Sequence, residues 1–278
     1  MVGKYRDLEE RLRLYEEVMR LRRQGLGYKR IAKALKERHG VSLNPGMICS
    51  WVKGRYHPLG RRCNKLVVGP GLAYALGGWL GDGSLNEDNN NYTYRIRLSC
   101  NDYEFAEEWG QCLAEALGRS KPYVPKWDDK YERWVVKGSS VLLYNLLKKT
   151  REAGAWILMP YLEEYPAEAC RGFFDAEGCV DVDRYRIVAS NTDPNIIDLF
   201  EKLLEKLGIG SKIYRRRRKE VFFISPRTGK LYRRSSKYIM LLAISREENV
   251  LRFAERVGFT IARKRLKLMK LVRKYRKS

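Results

Sequence analysis

Two acidic residues recur in the same local setting. Asp82-Gly83 closes the run AYALGGWLGDG over 73–83, and Glu177-Gly178 closes ACRGFFDAEG over 169–178, 95 positions later. Each run is a helix-forming stretch of small and apolar residues, so each acid falls at a helix C-terminus, with glycine as a common helix stop. The helix dipole disfavours an acid there, and the same disfavoured choice in both runs points to chemistry that needs carboxylates. Gly77 and Gly81 sit four apart on one run, and Gly172 and Ala176 on the other. Small residues at that spacing let two helices meet backbone to backbone, which brings Asp82 and Glu177 out side by side. Carboxylates that close repel, and one would hold a proton. A divalent cation resolves the conflict, because hard cations take carboxylate oxygens. Phosphodiester hydrolysis is chemistry that uses such a cation to activate water and neutralise developing charge. A twofold pair of acids also suits a duplex, whose two strands are related by a local twofold axis.

The elements that must carry the acids also repeat. An alternating strand YTYRIRLS (92–99) corresponds to RYRIVASN (184–191), and the helix NDYEFAEEWGQCLAEALG (101–118) to TDPNIIDLFEKLLEKLG (192–208). Basic, aromatic strands follow, ERWVVK (132–137) and KYIMLLAI (237–244), and each copy closes with a helix, at 139–149 and 246–257. The reading is an α+β fold of two pseudo-twofold αββαββα repeats, over 71–160 and 161–278. Alternation places Arg95 and Arg97 on one strand face and Arg184 and Arg186 on the matching face of the second copy, with Arg215 and Arg217 sharing a face in IYRRRRKEV. The turn around Pro226-Arg227-Thr228-Gly229 is placed to reach along a groove.

Ahead of the duplication, residues 1–56 pattern as three short helices, at 7–24, from Tyr28 to Arg38, and after the Asn44-Pro45 cap. This all-α segment is expected to be helix-turn-helix-like, with Met47, Ser50 and Lys53 turned to a DNA major groove. Residues 57–70, rich in Arg, Gly and Pro, form a linker. The chain's net charge of +23 implies a polyanionic partner. It is distributed as +10 over 1–62, −6 over 63–210 and +19 over 211–278. A protein that merely coats nucleic acid has little use for the acidic middle. The six cysteines form no CxxC pair and are expected to be reduced thiols in a cytoplasmic protein. His39, Cys49, His57 and Cys63 do not match a common zinc spacing. No apolar signal region or membrane span is expected.

The paired motifs, with RGFFDAEG as the sharper copy, and the closing pattern FAERVGFTIARKRLKLMK (253–270) resemble the LAGLIDADG homing endonucleases of the single-chain, two-motif kind, over roughly residues 70–275. The first copy departs from the consensus at Gly78-Trp79-Leu80 but keeps Asp82-Gly83. The resemblance implies a saddle-shaped core whose β-ribbons bind double-stranded DNA, Mg²⁺ held by Asp82 and Glu177, and double-strand cutting by a monomer whose gene is intron-encoded. It implies a basic helper at Lys137, with Ile244, Lys237 and Arg246 in the region of the second copy. Two rivals remain: a regulator that keeps the fold without cutting, and a maturase that binds intron RNA. An intein is disfavoured by Met1 and by the ending Arg276-Lys277-Ser278.

Overall fold

The computed structural model describes residues 8–58, 65–88, 93–218, 222–224, 229, 231–233 and 237–276. It divides into two compact units, Met1–Lys65 with Ser140–Leu142, and Leu66–Ser139 with Leu143–Ser278.

The first unit holds α1 (Leu8–Arg23), α2 (Tyr28–His39) and α3 (Pro45–Val52). Helix α2 ends on Gly40 in the left-handed region, and Asn44 caps α3 by accepting a hydrogen bond from the Gly46 amide at 2.8 Å. Val18, Leu21, Ile31, Leu35 and Ile48 are buried between the three helices. Burial at helical spacing, rather than intrinsic propensity, holds such short helices.

The second unit writes one element order twice. The first copy runs α4 (Pro70–Asp82), β1 (Gly83–Asp88), β2 (Thr93–Cys100), α5 (Tyr103–Ala116), β3 (Lys126–Asp128), β4 (Arg133–Ser139) and α6 (Val141–Ala153). A 3₁₀ turn (Ala155–Leu158) and α7 (Met159–Leu162) lead to the second copy. That copy runs α8 (Pro166–Glu177), β5 (Gly178–Asp181), β6 (Arg186–Asn191), α9 (Pro194–Lys206), β7 (Lys212–Arg217), β8 (Phe222–Ile224), β9 (Leu231–Arg233), β10 (Tyr238–Ile244) and α10 (Glu247–Arg256). The β8–β9 hairpin is an insertion, and α11 (Ala262–Tyr275) is an addition. Both four-stranded sheets are antiparallel with the same topology, β1-β2-β4-β3 and β5-β6-β10-β7. Each sheet buries one face under its own helix. Phe105, Trp109 and Leu113 of α5 cover Ile96, Leu98 and Val136, and Phe200 and Leu203 of α9 cover Ile187, Ala189 and Leu242.

The sequence alternation over 184–191 overran the strand. Strand β6 begins at Arg186, while Arg184 lies in the preceding turn and Tyr185 is left-handed at φ 51°. One residue in that conformation breaks the two-residue period, so Arg184 does not continue the face of Arg186.

The motif helices α4 and α8 lie against each other, and their contacts are reciprocal. A Cβ on Gly77 would collide with the Ala169 carbonyl and lie 3.1 Å from the Phe173 nitrogen. A Cβ on Gly172 would collide with the Tyr74 carbonyl and lie 2.9 Å from the Gly78 nitrogen. Each residue of these pairs is offset from its mate by the repeat of 95. The glycines after the acids serve closeness as well. Gly83 (φ −85°) and Gly178 (φ −82°) are extended rather than left-handed, and a Cβ at either would strike the carbonyl of Trp79 or Phe174. The helix therefore passes straight into the next strand.

Backbone atoms cannot swing aside as side chains do, so Gly172→Leu should cost at or above the usual overpacking range of about 1–3 kcal/mol. Gly208, at φ +70° with open space around its missing Cβ, is the control, where alanine should cost only about 1 kcal/mol of backbone strain. Chemical denaturation measures both, and equal losses would contradict a close helix–helix axis.

Candidate functional site

The last residues of α4 and α8 are Asp82 and Glu177. The Glu177 stem lies over Gly81, where an added Cβ would stand 2.9 Å from its Cγ. The side chain of one motif's acid thus rests on the residue beside the other's. Burial pushes the Asp82 carboxyl up to about 6, against the pull of Lys264 and Arg133. Burial pushes Glu177 up to about 7, with the Asp82 charge adding to the rise and the Asn191 hydrogen bond, Lys264 and Arg218 opposing it. The Asn191 amide donates to Glu177 Oε1 at 3.1 Å.

No group of three or more His, Cys, Asp or Glu side chains suited to a metal occurs among the described residues. The candidate donors are the two carboxylates of Asp82 and Glu177. Such a pair fits Mg²⁺, which commonly takes one or two protein carboxylates and fills its other positions with water and phosphate oxygens. It does not fit a closed structural zinc site.

A buried network supports the α8 end, and the sequence reading missed it. Asp175, 2% exposed, accepts from the Tyr74 hydroxyl at 2.8 Å and from the Thr260 amide at 3.0 Å. Lys264, 5% exposed, donates to the carbonyls of Phe174 (3.1 Å) and Asp175 (2.6 Å). The available signal was a lysine on an apolar stripe: Ile261, Lys264, Leu268 and Leu271 fall on one helical face and all four are buried.

Strand register separates the two groove faces. Ser84, Arg97 and Lys137 form one cross-strand row, and Asn86, Arg95 and Ser139 the next, on the face away from buried Ile96 and Leu98. Lys137 is exposed, and Arg97 reaches Asp128 at 3.5 Å. The corresponding row of the second copy is Cys179, Val188 and Ala243. The counterpart of Lys137 is thus Ala243, rather than Ile244, Lys237 or Arg246. Ile244 faces the core, and the other two lie outside β10. Arg186 does fall on this outer face, paired with Asp181, and its Nε lies 3.4 Å from Asp181 Oδ2.

Arg215 and Arg217 share a face with each other but not with Arg186. Their parity is that of Ile213, whose row contains buried Leu242, whereas Lys212, Tyr214 and Arg216 lie with Val188 and Ser190. Arg215 sits over the Tyr238 ring at 3.7 Å. Strand β7 is an edge strand exposed along most of its length, so its three consecutive arginines, followed by Arg218, carry no hydrophobic alternation from which facing could be read. Sheet one therefore carries its cations on central strands, and sheet two mainly on its edge.

In the first unit, Ser50 is half-buried on α3 and its carbonyl accepts from the Arg55 amide, while Lys53 is exposed and follows the helix as its C-cap. Residues 226–228 of the expected groove turn lie outside the described residues, as does Cys63. The ring of His57 packs on Tyr15 at 4.5 Å, and burial lowers its pKa. No helix of the described residues is long and apolar enough to cross a membrane.

The raised carboxyls make a pH prediction. A group whose folded pKa exceeds its unfolded value stabilises fully below the unfolded value, and that contribution is lost as pH rises through the folded one. Without metal, the melting temperature should fall between about pH 4 and about pH 7 as Asp82 and Glu177 ionise. Millimolar Mg²⁺ should restore it at the upper end, and Asp82→Asn with Glu177→Gln should flatten the slope. Melting curves in chelator that show the same slope for wild type and double variant would contradict the shifts.

Two family models match the chain, one on each copy. A LAGLIDADG-like domain covers residues 164–258, and a WhiA LAGLIDADG-like domain covers residues 72–121. An uncharacterised protein of Methanocaldococcus jannaschii, MJ0398, is 30% identical over 265 residues, spanning 95% of this chain and 94% of its own. A second uncharacterised protein of that organism, MJ0314, is 34% identical over 151 residues, 51% of this chain and 56% of its own. Among solved structures, I-DmoI in complex with DNA and Mn is 18% identical at TM-score 0.46, covering 69% of this chain and 97% of that one. The N-terminal LAGLIDADG domain of DUF199/WhiA is 14% identical at TM-score 0.43, covering 73% and 87%. With a duplicated αββαββα core, reciprocal motif helices and a family model on each copy, this chain belongs to the LAGLIDADG family.

Proposed function

We propose that the chain is a site-specific endonuclease that binds double-stranded DNA and hydrolyses a phosphodiester in each strand with divalent metal, Mg²⁺ in the first instance. The observation that carries this reading is the pairing of Asp82 and Glu177. Two half-buried acids, one from each copy, are held together at the cost of their own ionisation. A fold selected only for stability would replace them.

A cation held by this pair supplies water activation and charge neutralisation at the scissile phosphate. The chain's own residues do the rest. Asn191 fixes one oxygen of Glu177, which limits how its carboxylate can turn. The outer faces bearing Arg95, Arg97 and Lys137 in one sheet, and Arg186, Lys212 and Arg216 in the other, offer cations to the phosphates. Such contacts set register and make affinity salt-dependent. Residues 1–56 add positive charge, and Ser50 and Lys53 contribute DNA contacts from that segment. Arg184, Arg215 and Arg217 serve as additional phosphate contacts rather than as members of one reading face.

A second reading, a DNA-binding regulator that keeps this core without cutting, is favoured by the match of the first copy to a WhiA domain model. Supercoiled plasmid carrying a selected target separates the two. Wild type should linearise it with Mg²⁺ but not with chelator, while Asp82→Asn and Glu177→Gln should retain binding and lose cutting. Binding without cutting by wild type in Mg²⁺ and in Mn²⁺ would establish the regulator instead.

Lys137→Ala should lower the single-turnover rate by about a hundredfold, the lower end of what a positioned proton-transfer group contributes. An unchanged rate with a salt slope shallower by about one charge would reduce Lys137 to a phosphate contact.

A further inference from the structure

The turn between β5 and β6 is weakly closed from within. Tyr185 stands in the left-handed region at φ 51°, which is costly for a residue with a Cβ and persists only where its surroundings impose it. The closing hydrogen bond of the turn, from the Tyr185 amide to the Val182 carbonyl, is long at 3.4 Å. The Arg184 amide adds a bond to Asp181 Oδ1 at 3.2 Å. A segment with so few bonds of its own opens readily unless something outside it holds it.

The end of α11 supplies that hold. Tyr275 is the last residue of the helix, and its hydroxyl donates to the Tyr185 carbonyl at 2.8 Å, shorter than the two bonds inside the turn. The two tyrosine rings meet edge to face with centroids 5.2 Å apart. Beside them the Lys274 ammonium donates to the Val182 carbonyl at 3.3 Å and lies 4.1 Å from the centre of the Tyr185 ring. Tyr185 separates two cations. The Arg184 side chain is 71% exposed in the turn, whereas Arg186 is 29% exposed and stands on the outer face of the sheet against Asp181. The left-handed residue between them sends them in different directions, so a bond to its carbonyl fixes both at once. Cations preset in this way meet phosphates without first having to be ordered. Helix α11 has no counterpart in the first copy's element order, so this hold belongs to the second copy.

We infer that Tyr275 is a positioning residue for DNA binding: from the end of α11 it holds Tyr185, and through it the directions of Arg184 and Arg186, so that the second copy meets its half of the target with a preset turn. The inference rests on the proposed binding of duplex DNA but does not require that the DNA be cut.

Tyr275→Phe, which removes the hydroxyl and keeps the ring, tests this on the full chain, with Tyr275→Ala beside it. Amide hydrogen exchange over 182–186 reads the hold itself. A duplex selected from a randomised library and bound in chelator reads its use, through the dissociation constant and the hydroxyl-radical footprint. In Tyr275→Phe, exchange over 182–186 should rise about fivefold, the equivalent of one net hydrogen bond, and more in Tyr275→Ala. The dissociation constant should rise by a similar factor, with protection fading over one end of the target. The salt slope should stay the same, because no charge has been removed. Should Tyr275→Ala fail to fold, Tyr275→Phe alone decides. Exchange at the wild-type rate, unchanged binding beside faster exchange, or protection fading equally at both ends would overturn the inference and leave the proposed function standing. Failure of the wild type to select any duplex would instead remove the proposed function, and the DNA role of Tyr275 with it.

Discussion

The backbone-to-backbone contact of α4 and α8 is the constraint on which the rest of the structure depends. Gly77 and Gly172 leave no room for a Cβ between the helices, so the axes close to a distance that ordinary side chains would forbid. Because each acid is the final residue of its helix and the next residue opens a strand, that closeness is transmitted directly to the carboxylates and to the first strand of each sheet. One packing decision sets both the spacing of Asp82 and Glu177 and the starting register of the two groove faces.

That arrangement stores an electrostatic conflict. Two half-buried carboxyls raised to about 6 and about 7 weaken the fold near neutral pH, and folding must offset them elsewhere. The Tyr74–Asp175–Thr260 network and the Arg263–Asp102 bridge tie the C-terminal segment across both copies just beneath the conflict. Strain of this kind at one place in an otherwise well-packed core is the usual mark of a site kept for function.

Much of this was legible in the residues. The repeat of 95, the small residues four apart and the acid-glycine endings predict the paired helices and the αββαββα order. Three things were not legible, each for a physical reason. The reach of β6 was hidden because Tyr185 adopts a left-handed backbone that alternation cannot reveal. The facing of Arg215 and Arg217 was hidden because a run of identical charged residues has no amphipathic phase. The counterpart of Lys137 depended on cross-strand register, which places Ala243 rather than a basic residue beside Val188. Lys264 did leave a trace, as the cation on the buried stripe of α11, but only tertiary structure shows that it binds the Phe174 and Asp175 carbonyls at the end of α8.

The central claim is that this paired-acid site cuts duplex DNA at a defined sequence. A randomised duplex library incubated with the protein and Mg²⁺, with all new ends sequenced, tests it most directly. The account predicts one recurrent site, broken at fixed positions in both strands, that disappears from the Asp82→Asn library. Ends scattered without a shared sequence, or no new ends in Mg²⁺ or Mn²⁺, would contradict it.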